Sequence, residues 1–197
     1  MIRLFVGIEL LPSLLGSLGL ARGGVEGARW QSDEQLHLTL AFIGTVPVHT
    51  MREIEDELSR IRFNPFELTL EGVGMFGTTD QPKALWAGVA DGTPLLHLHE
   101  KILNTLEQID VTVDRRRYKP HVTLARFARG TKTCFGDWVT SNGTLKSPPQ
   151  IVDHFSLFSS TQTSEGPSYI AEARFAGSEE WQDHTEDDFA LFGGHSK

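Results

Sequence analysis

The segment His37-Leu38-Thr39-Leu40-Ala41 returns eighty-four positions later as His121-Val122-Thr123-Leu124-Ala125. Both copies sit in apolar, β-rich runs, and in a strand the side chains of residues i and i+2 emerge on one face. Each copy therefore presents a His and a Thr together, while Leu38 and Leu40, or Val122 and Leu124, turn into a core. A fold for this chain must supply two matched strands, one in each half. If those strands meet, two imidazoles and two hydroxyls surround one substrate atom, an arrangement suited to phosphoryl chemistry.

A bare His-x-Thr is close to a chance occurrence in a chain with eight histidines, and alone it carries little. The weight lies in the flanks. Leu and Ala recur at identical offsets, and an internal duplication accounts for that. Histidine titrates near neutrality, so a pair can divide the work of acid and base at one pH. One neutral imidazole takes a proton from an attacking water; the other, protonated, delivers one to the departing alkoxide. Two Thr hydroxyls and a guanidinium can hold the non-bridging oxygens. This chemistry calls for no metal and no cofactor.

Arg126 is the candidate guanidinium, five residues after His121 and three after Thr123, where the first repeat has Phe42. On an unbent strand that odd offset sends Arg126 to the opposite face from His121. A bulge or a strand end near Ala125 is required to aim it inward.

The net charge of −8 at first argues against a polyanionic partner. Its distribution reverses that. Residues 177–197 hold six acids against one lysine, which leaves the body at −3. Between 115 and 132 lie Arg115, Arg116, Arg117, Lys119, Arg126, Arg129 and Lys132 with no acid among them. The second motif sits within that basic stretch, where a local positive field attracts phosphate.

Other features narrow the class further. The apolar run 10–21 is interrupted by Pro12, preceded by Glu9, and too short to span a bilayer. The single cysteine, Cys134, excludes an internal disulfide and offers no metal framework, so a reducing cytoplasm is the expected setting. His97 and His99 on a helix diverge by about two hundred degrees and make no ligand pair. His49, His154, His184 and His195 fall near loops or the tail and are expected to be solvated. Trp30, Phe42 and Tyr118 flank the motifs, and core packing is preferred for each over stacking on a base.

Strands are predicted at 2–8, 25–31, 36–43, 66–70, 84–90, around His121, at 151–158 and at 169–175. A glycine-rich turn is predicted at 72–77. Thr50-Met51-Arg52-Glu53 has the form of a capping box opening a helix to about Arg62. Thr93-Pro94 opens another, with Leu95, Leu98, Ile102, Leu106 and Ile109 on one face. Strands and helices mix without strict alternation, which favours an α+β fold with antiparallel sheets. Residues 1–176 read as one domain; the acidic tail 177–197 is expected to be mobile.

The sequence resembles the 2H phosphoesterase superfamily, and within it the RNA 2′,3′-cyclic phosphodiesterases, also called 2′-5′ RNA ligases. The matching stretches are Arg3-Leu4-Phe5-Val6-Gly7-Ile8, then Leu36-His37-Leu38-Thr39-Leu40-Ala41-Phe42-Ile43-Gly44, and Tyr118-Lys119-Pro120-His121-Val122-Thr123-Leu124-Ala125-Arg126. The resemblance implies a bilobal, pseudo-twofold α+β fold with antiparallel sheets lining a central cleft and helices outside. It implies hydrolysis of RNA 2′,3′-cyclic phosphate ends to 2′-phosphomonoesters, with 2′-5′ ligation as the reverse reaction. His37 becomes the proton donor and His121 the proton acceptor, with Thr39, Thr123 and Arg126 binding the phosphate. The implied partner is RNA carrying a 2′,3′-cyclic phosphate end, acted on by a monomer that binds no membrane. Three alternatives stay open: a 2H phosphoesterase for 2′-5′ oligonucleotides or small cyclic phosphates, a metal-dependent phosphodiesterase, and a non-catalytic RNA-binding module.

Overall fold

The computed structural model describes residues 1–78, 80–164 and 166–178. The acidic tail lies almost wholly outside the described residues, and so does the expectation that it is mobile.

The apolar opening segment forms strand β1 (Ile2–Glu9), with Leu4, Phe5, Val6 and Ile8 all buried. After helix α1 (Pro12–Leu20) come β2 (Ala28–Trp30) and the first motif strand β3 (His37–Val46). Helix α2 (Val48–Leu58) leads to β4 (Phe66–Leu68), β5 (Leu70–Thr78) and β6 (Gln81–Val89). Helix α3 (Thr93–Gln108) precedes the second motif strand β7 (Val122–Phe127). Helix α4 (Gly136–Asn142), then β8 (Gln150–Val152), β9 (His154–Thr163) and β10 (Gly166–Ala176), complete the described chain. No helix among the described residues is long and apolar enough to cross a membrane.

The architecture is α+β and the strand pairs are antiparallel. One eight-stranded sheet runs β10-β9-β1-β3-β7-β6-β5, with β2 beside β7, and β4 pairs with β8 apart from it. Strands β3 and β7 pair only at Leu38↔Val122. That single pair is the seam between the β10-β9-β1-β3 half and the β7-β6-β5 half, and beyond it the motif strands part. Leu38, Leu40, Val122 and Leu124 are fully buried in a core that also takes in Leu95, Ile102 and Leu106 of α3.

Several local expectations are corrected. Helix α2 starts at Val48 behind Pro47, with no side-chain cap, so Thr50 lies inside the first turn. Proline fixes the φ of the residue before the helix, and this sets the start ahead of the Thr50 box. A capping box does form, between Ser32 and Gln35, around the 3-10 turn before β3. The helix expected to open with Thr93 as its cap instead takes Gly92 in that place, and Asp91 accepts the Thr93 amide. The glycine-rich segment predicted as a turn is part of strand β5. A Cβ on Gly74 would lie 2.3 Å from the Trp86 ring of the neighbouring strand, so glycine is there to admit the indole. The region 151–158 is split at Asp153 into β8 and β9.

Candidate active site

Antiparallel register about Leu38↔Val122 sets His37 beside Thr123 and Thr39 beside His121, all on the face opposite the buried leucines and valine. The four residues of the two motifs are thus drawn together by one strand pair. Each imidazole is tethered in the same way. His37 Nδ1 lies 2.8 Å from the Gln35 carbonyl, and His121 Nδ1 lies 2.7 Å from the Lys119 carbonyl. A carbonyl only accepts, so Nδ1 carries the hydrogen in both rings and Nε2 is left as the reactive nitrogen.

Arg126 joins them through a bulge. Along the β6–β7 ladder Leu85 faces Ala125 while Trp86 faces Thr123, so Leu124 is an extra residue in β7. Leu124 and Ala125 are consequently buried in succession, and the parity of the strand changes between Thr123 and Arg126. The charge of Arg126 acts on both His37 and His121. Of the two devices that the sequence allowed, a bulge or a strand end, the structure has the bulge.

The first repeat carries the same bulge. On the β1–β3 ladder Val6 faces Ala41 while Gly7 faces Thr39, which makes Leu40 the extra residue. Phe42 therefore occupies the place that Arg126 holds in the second repeat. It is 56% exposed, and its ring is tilted 45° to that of Phe5, with centroids 6.3 Å apart. Its exposure on the site face overturns the core-packing role expected for Phe42.

Aromatic rings enclose both histidines. Phe5 lies 4.7 Å from His37 and stacks on Phe158 at 4.9 Å, while Tyr169 meets His37 edge-on at 4.9 Å. His121 is met edge-on by Phe76 at 4.8 Å, with Trp86 behind it at 6.3 Å. Burial disfavours imidazolium, and it pushes His37 down to about 4, with repulsion from Arg126 and His121 opposing the hydrogen bond to Gln35. His121 is lowered for the same first reason, with Arg126 and Lys119 adding to it.

A cavity of about 400 Å³ opens beside Thr39, Phe42 and His121, and Arg116, Arg117 and Lys119 rim it. The basic stretch is less free than its sequence suggests. Arg115 is held by Glu107 and Glu100, Arg116 by Asp114, and the Lys119 ammonium sits 4.0 Å over the Trp86 ring. Among the described residues no group of three or more His, Cys, Asp or Glu side chains is placed to hold a metal ion. His97 and His99 do not act together. His99 is buried, hydrogen-bonded at 2.7 Å to the Leu40 carbonyl and stacked at 4.1 Å on Tyr118. His154 is paired with Asp153, and Trp30 packs near Trp138.

Phe5, Phe76, Trp86, Phe158 and Tyr169 are site residues that sequence reasoning did not single out. A signal existed only for Phe5, in the Arg3–Ile8 stretch that carries part of the family resemblance. Tyr169 reaches His37 from far along the chain, and no local pattern marks it.

The family model described as the 2′-5′ RNA ligase superfamily matches residues 22–160. The chain belongs to the 2′-5′ RNA ligase superfamily. An RNA 2′,3′-cyclic phosphodiesterase of Thermotoga maritima is 34% identical over 157 residues, covering 77% of this chain and 81% of that protein. One of Archaeoglobus fulgidus is 30% identical over 170 residues, covering 85% and 96%. Among solved structures, a Thermus thermophilus protein superposes with a TM-score of 0.70 at 25% identity, over 88% of this chain and 97% of its own. Apo E. coli LigT shares the fold, with a TM-score of 0.71 at 24% identity over 89% and 96%. Membership of the 2′-5′ RNA ligase superfamily rests on the family match and these relatives, and the solved structures share the fold.

Proposed function

We propose that this protein hydrolyses RNA 2′,3′-cyclic phosphate ends to 2′-phosphomonoesters, using His37 and His121 as acid and base. The observation that carries the reading is the pair of tethered, bulged motif strands around Leu38↔Val122, with Arg126 turned to the histidine face. The curated relatives named as RNA 2′,3′-cyclic phosphodiesterases support the substrate class.

His121, neutral with Nε2 free, accepts a proton from water as that water attacks phosphorus. The P–O3′ bond breaks, and His37 gives its proton to the departing O3′. Thr39 and Thr123 donate hydroxyl hydrogen bonds to the non-bridging oxygens, and Arg126 balances the charge that develops there. The burial that thins the protonated population of His37 also makes its imidazolium a stronger acid. An incoming phosphodiester anion offsets Arg126 and restores the proton. With the 5′-hydroxyl of a second RNA in place of water, His121 would take that hydroxyl's proton as it attacks phosphorus while His37 protonates the departing O3′, which leaves a 2′-5′ linkage. One chain supplies both histidines, which supports a monomeric enzyme, and an RNA substrate accords with a cytoplasmic setting.

The test is incubation of the full chain with an oligonucleotide ending in a 2′,3′-cyclic phosphate, in EDTA, with identification of the monoester formed. A 2′-phosphate is the expected product. A 3′-phosphate, or no turnover, would overturn the proposal; loss of turnover in EDTA alone would move it to a metal-dependent class.

A further inference from the structure

The face that carries the histidines continues past them. Gly7, Phe5 and Arg3 follow one another at two-residue steps along β1, so Arg3 emerges on the face of Phe5. Across the ladders Arg3 pairs with Thr45 on one side and Ser160 on the other, and Ser160 pairs with Tyr169. Thr45, Arg3, Ser160 and Tyr169 thus form one row over four strands, adjacent to the aromatic row of Phe42, Phe5 and Phe158. The Tyr169 ring leans back over Phe5, at 5.1 Å, to reach His37.

Arg3 lies in an internal strand, is exposed, and has no acidic or hydrogen-bonding partner among the described residues. Nor does Arg126. The charges of these two guanidiniums both act on the Tyr169 hydroxyl. An unpaired arginine in mid-sheet, with only neutral neighbours in its row, contributes nothing evident to the fold. The structure assigns Arg3 and the Tyr169 hydroxyl to a second phosphate subsite, for the phosphodiester on the 5′ side of the terminal nucleotide.

This inference rests on the cyclic phosphodiesterase reading and extends it from a cyclic end to a chain carrying that end. The spacing suits it. Four residues of strand separate Gly7, opposite Thr39, from Arg3, roughly 13 Å along the sheet. Side chains stand roughly perpendicular to a sheet, so the two phosphate groups would be held on one face with the aromatic row between them. Phe42, exposed beside the buried Phe5, lies between the two phosphate positions, where the terminal base would rest. The basic rim of the cavity is the rival route for the chain, but Arg115 and Arg116 are engaged by carboxylates, which leaves Arg117 as the unpaired guanidinium of that rim among the described residues.

The experiment compares adenosine 2′,3′-cyclic phosphate bearing a 5′-hydroxyl, the same compound bearing a 5′-phosphate, and a dinucleotide with a cyclic end. For the unaltered protein the 5′-phosphate is expected to raise kcat/KM by about tenfold, through KM, as a charge-assisted contact would. Arg3→Gln is expected to bring the two mononucleotides within about twofold of each other, Tyr169→Phe to do so in part, and Arg117→Gln to leave the preference intact. The preference in the unaltered protein also weakens with salt, and that dependence is lost in Arg3→Gln. An undiminished preference in Arg3→Gln, an equal loss on both mononucleotides, or a loss in Arg117→Gln instead would overturn the subsite. Failure of the unaltered protein to turn over any of the three would sink the cyclic phosphodiesterase reading itself.

Discussion

Strands β3 and β7 begin alike, each with a histidine tied to the carbonyl two residues back, a threonine at the next position on that face, and an extra leucine that shifts the parity. They differ beyond that leucine. The parity shift delivers Phe42 in one and Arg126 in the other, so the same backbone device presents an aromatic surface or a cation. Their carbonyls also find different partners. The Leu124 carbonyl accepts the Gln31 backbone amide at 2.9 Å, as β2 extends the sheet there. The equivalent Leu40 carbonyl faces the parted seam and takes the His99 imidazole at 2.7 Å, while the Tyr118 hydroxyl donates to the Thr39 carbonyl at 2.8 Å. Duplication accounts for the symmetric frame, and the asymmetric finish sets an exposed aromatic ring on one motif strand and a guanidinium on the other.

The sharpest way to break this comparison is to remove either histidine. His37→Ala and His121→Ala are each expected to lower kcat by about 10²–10⁴-fold, and the double variant by far less than the product of the two. Their pH profiles separate the roles. In kcat/KM the acidic limb reports protonation of the base, and the basic limb reports deprotonation of the acid. His121→Ala flattens the acidic limb and His37→Ala the basic one; the reverse pattern exchanges the assignments. Burial and Arg126 both disfavour imidazolium, and His37 stands near 4 in the anion-free site. The kcat/KM maximum is therefore expected below pH 6.5, and a maximum above pH 7 contradicts that electrostatic account. As the two rings interact, the apparent values belong to the pair.

Next in size is the clamp. Arg126→Lys keeps the charge but loses the planar fork, and a drop of about 10–10²-fold in kcat is expected. Arg126→Gln removes the charge as well, and both histidines then titrate higher by NMR. Unchanged histidine titration would mean that Arg126 does not face them. In the first repeat, Phe42→Ala is expected to raise KM by about tenfold, as loss of one stacked base does, and to leave the melting temperature nearly unaltered because the ring is already exposed. A large fall in stability with KM unmoved would return Phe42 to the core.

How far the sequence disclosed this site depends on the kind of feature. The paired motifs and the need for a bulge or a strand end before Arg126 were legible, since both come from counting residues along a strand. Phe42 was not, because its apolar character after Leu40 and Ala41 suggests burial, and only the Leu40 bulge turns it outward. The glycines of β5 suggest a turn because Gly74 makes room for an indole of another strand, a tertiary reason with no local trace. Thr50 has the pattern of a cap, but Pro47 fixes the helix start first. Tyr169 and His99 reach the motifs from distant elements, and only packing reveals them.

His99 gives the smallest expected effect and the finest discrimination between the repeats. The question put to it by its sequence neighbour His97 was metal binding; its position answers a different one. At the seam β3 has no strand beside its bulge, and an unpaired buried carbonyl costs about 1–3 kcal/mol. His99→Leu fills the space, leaves the Leu40 carbonyl without a donor, and is expected to lower stability by that order and kcat/KM by several-fold. His99→Asn restores an N–H at the place of Nδ1 and is expected to recover most of both. Recovery by Asn in kcat/KM, measured well below the melting transition, separates support of the Thr39–Phe42 segment from mere filling of the core, because Leu fills the core as well. Equal behaviour of the Leu and Asn variants would show that β3 holds its bulge without that hydrogen bond, and that the two repeats are more alike than their carbonyl partners suggest.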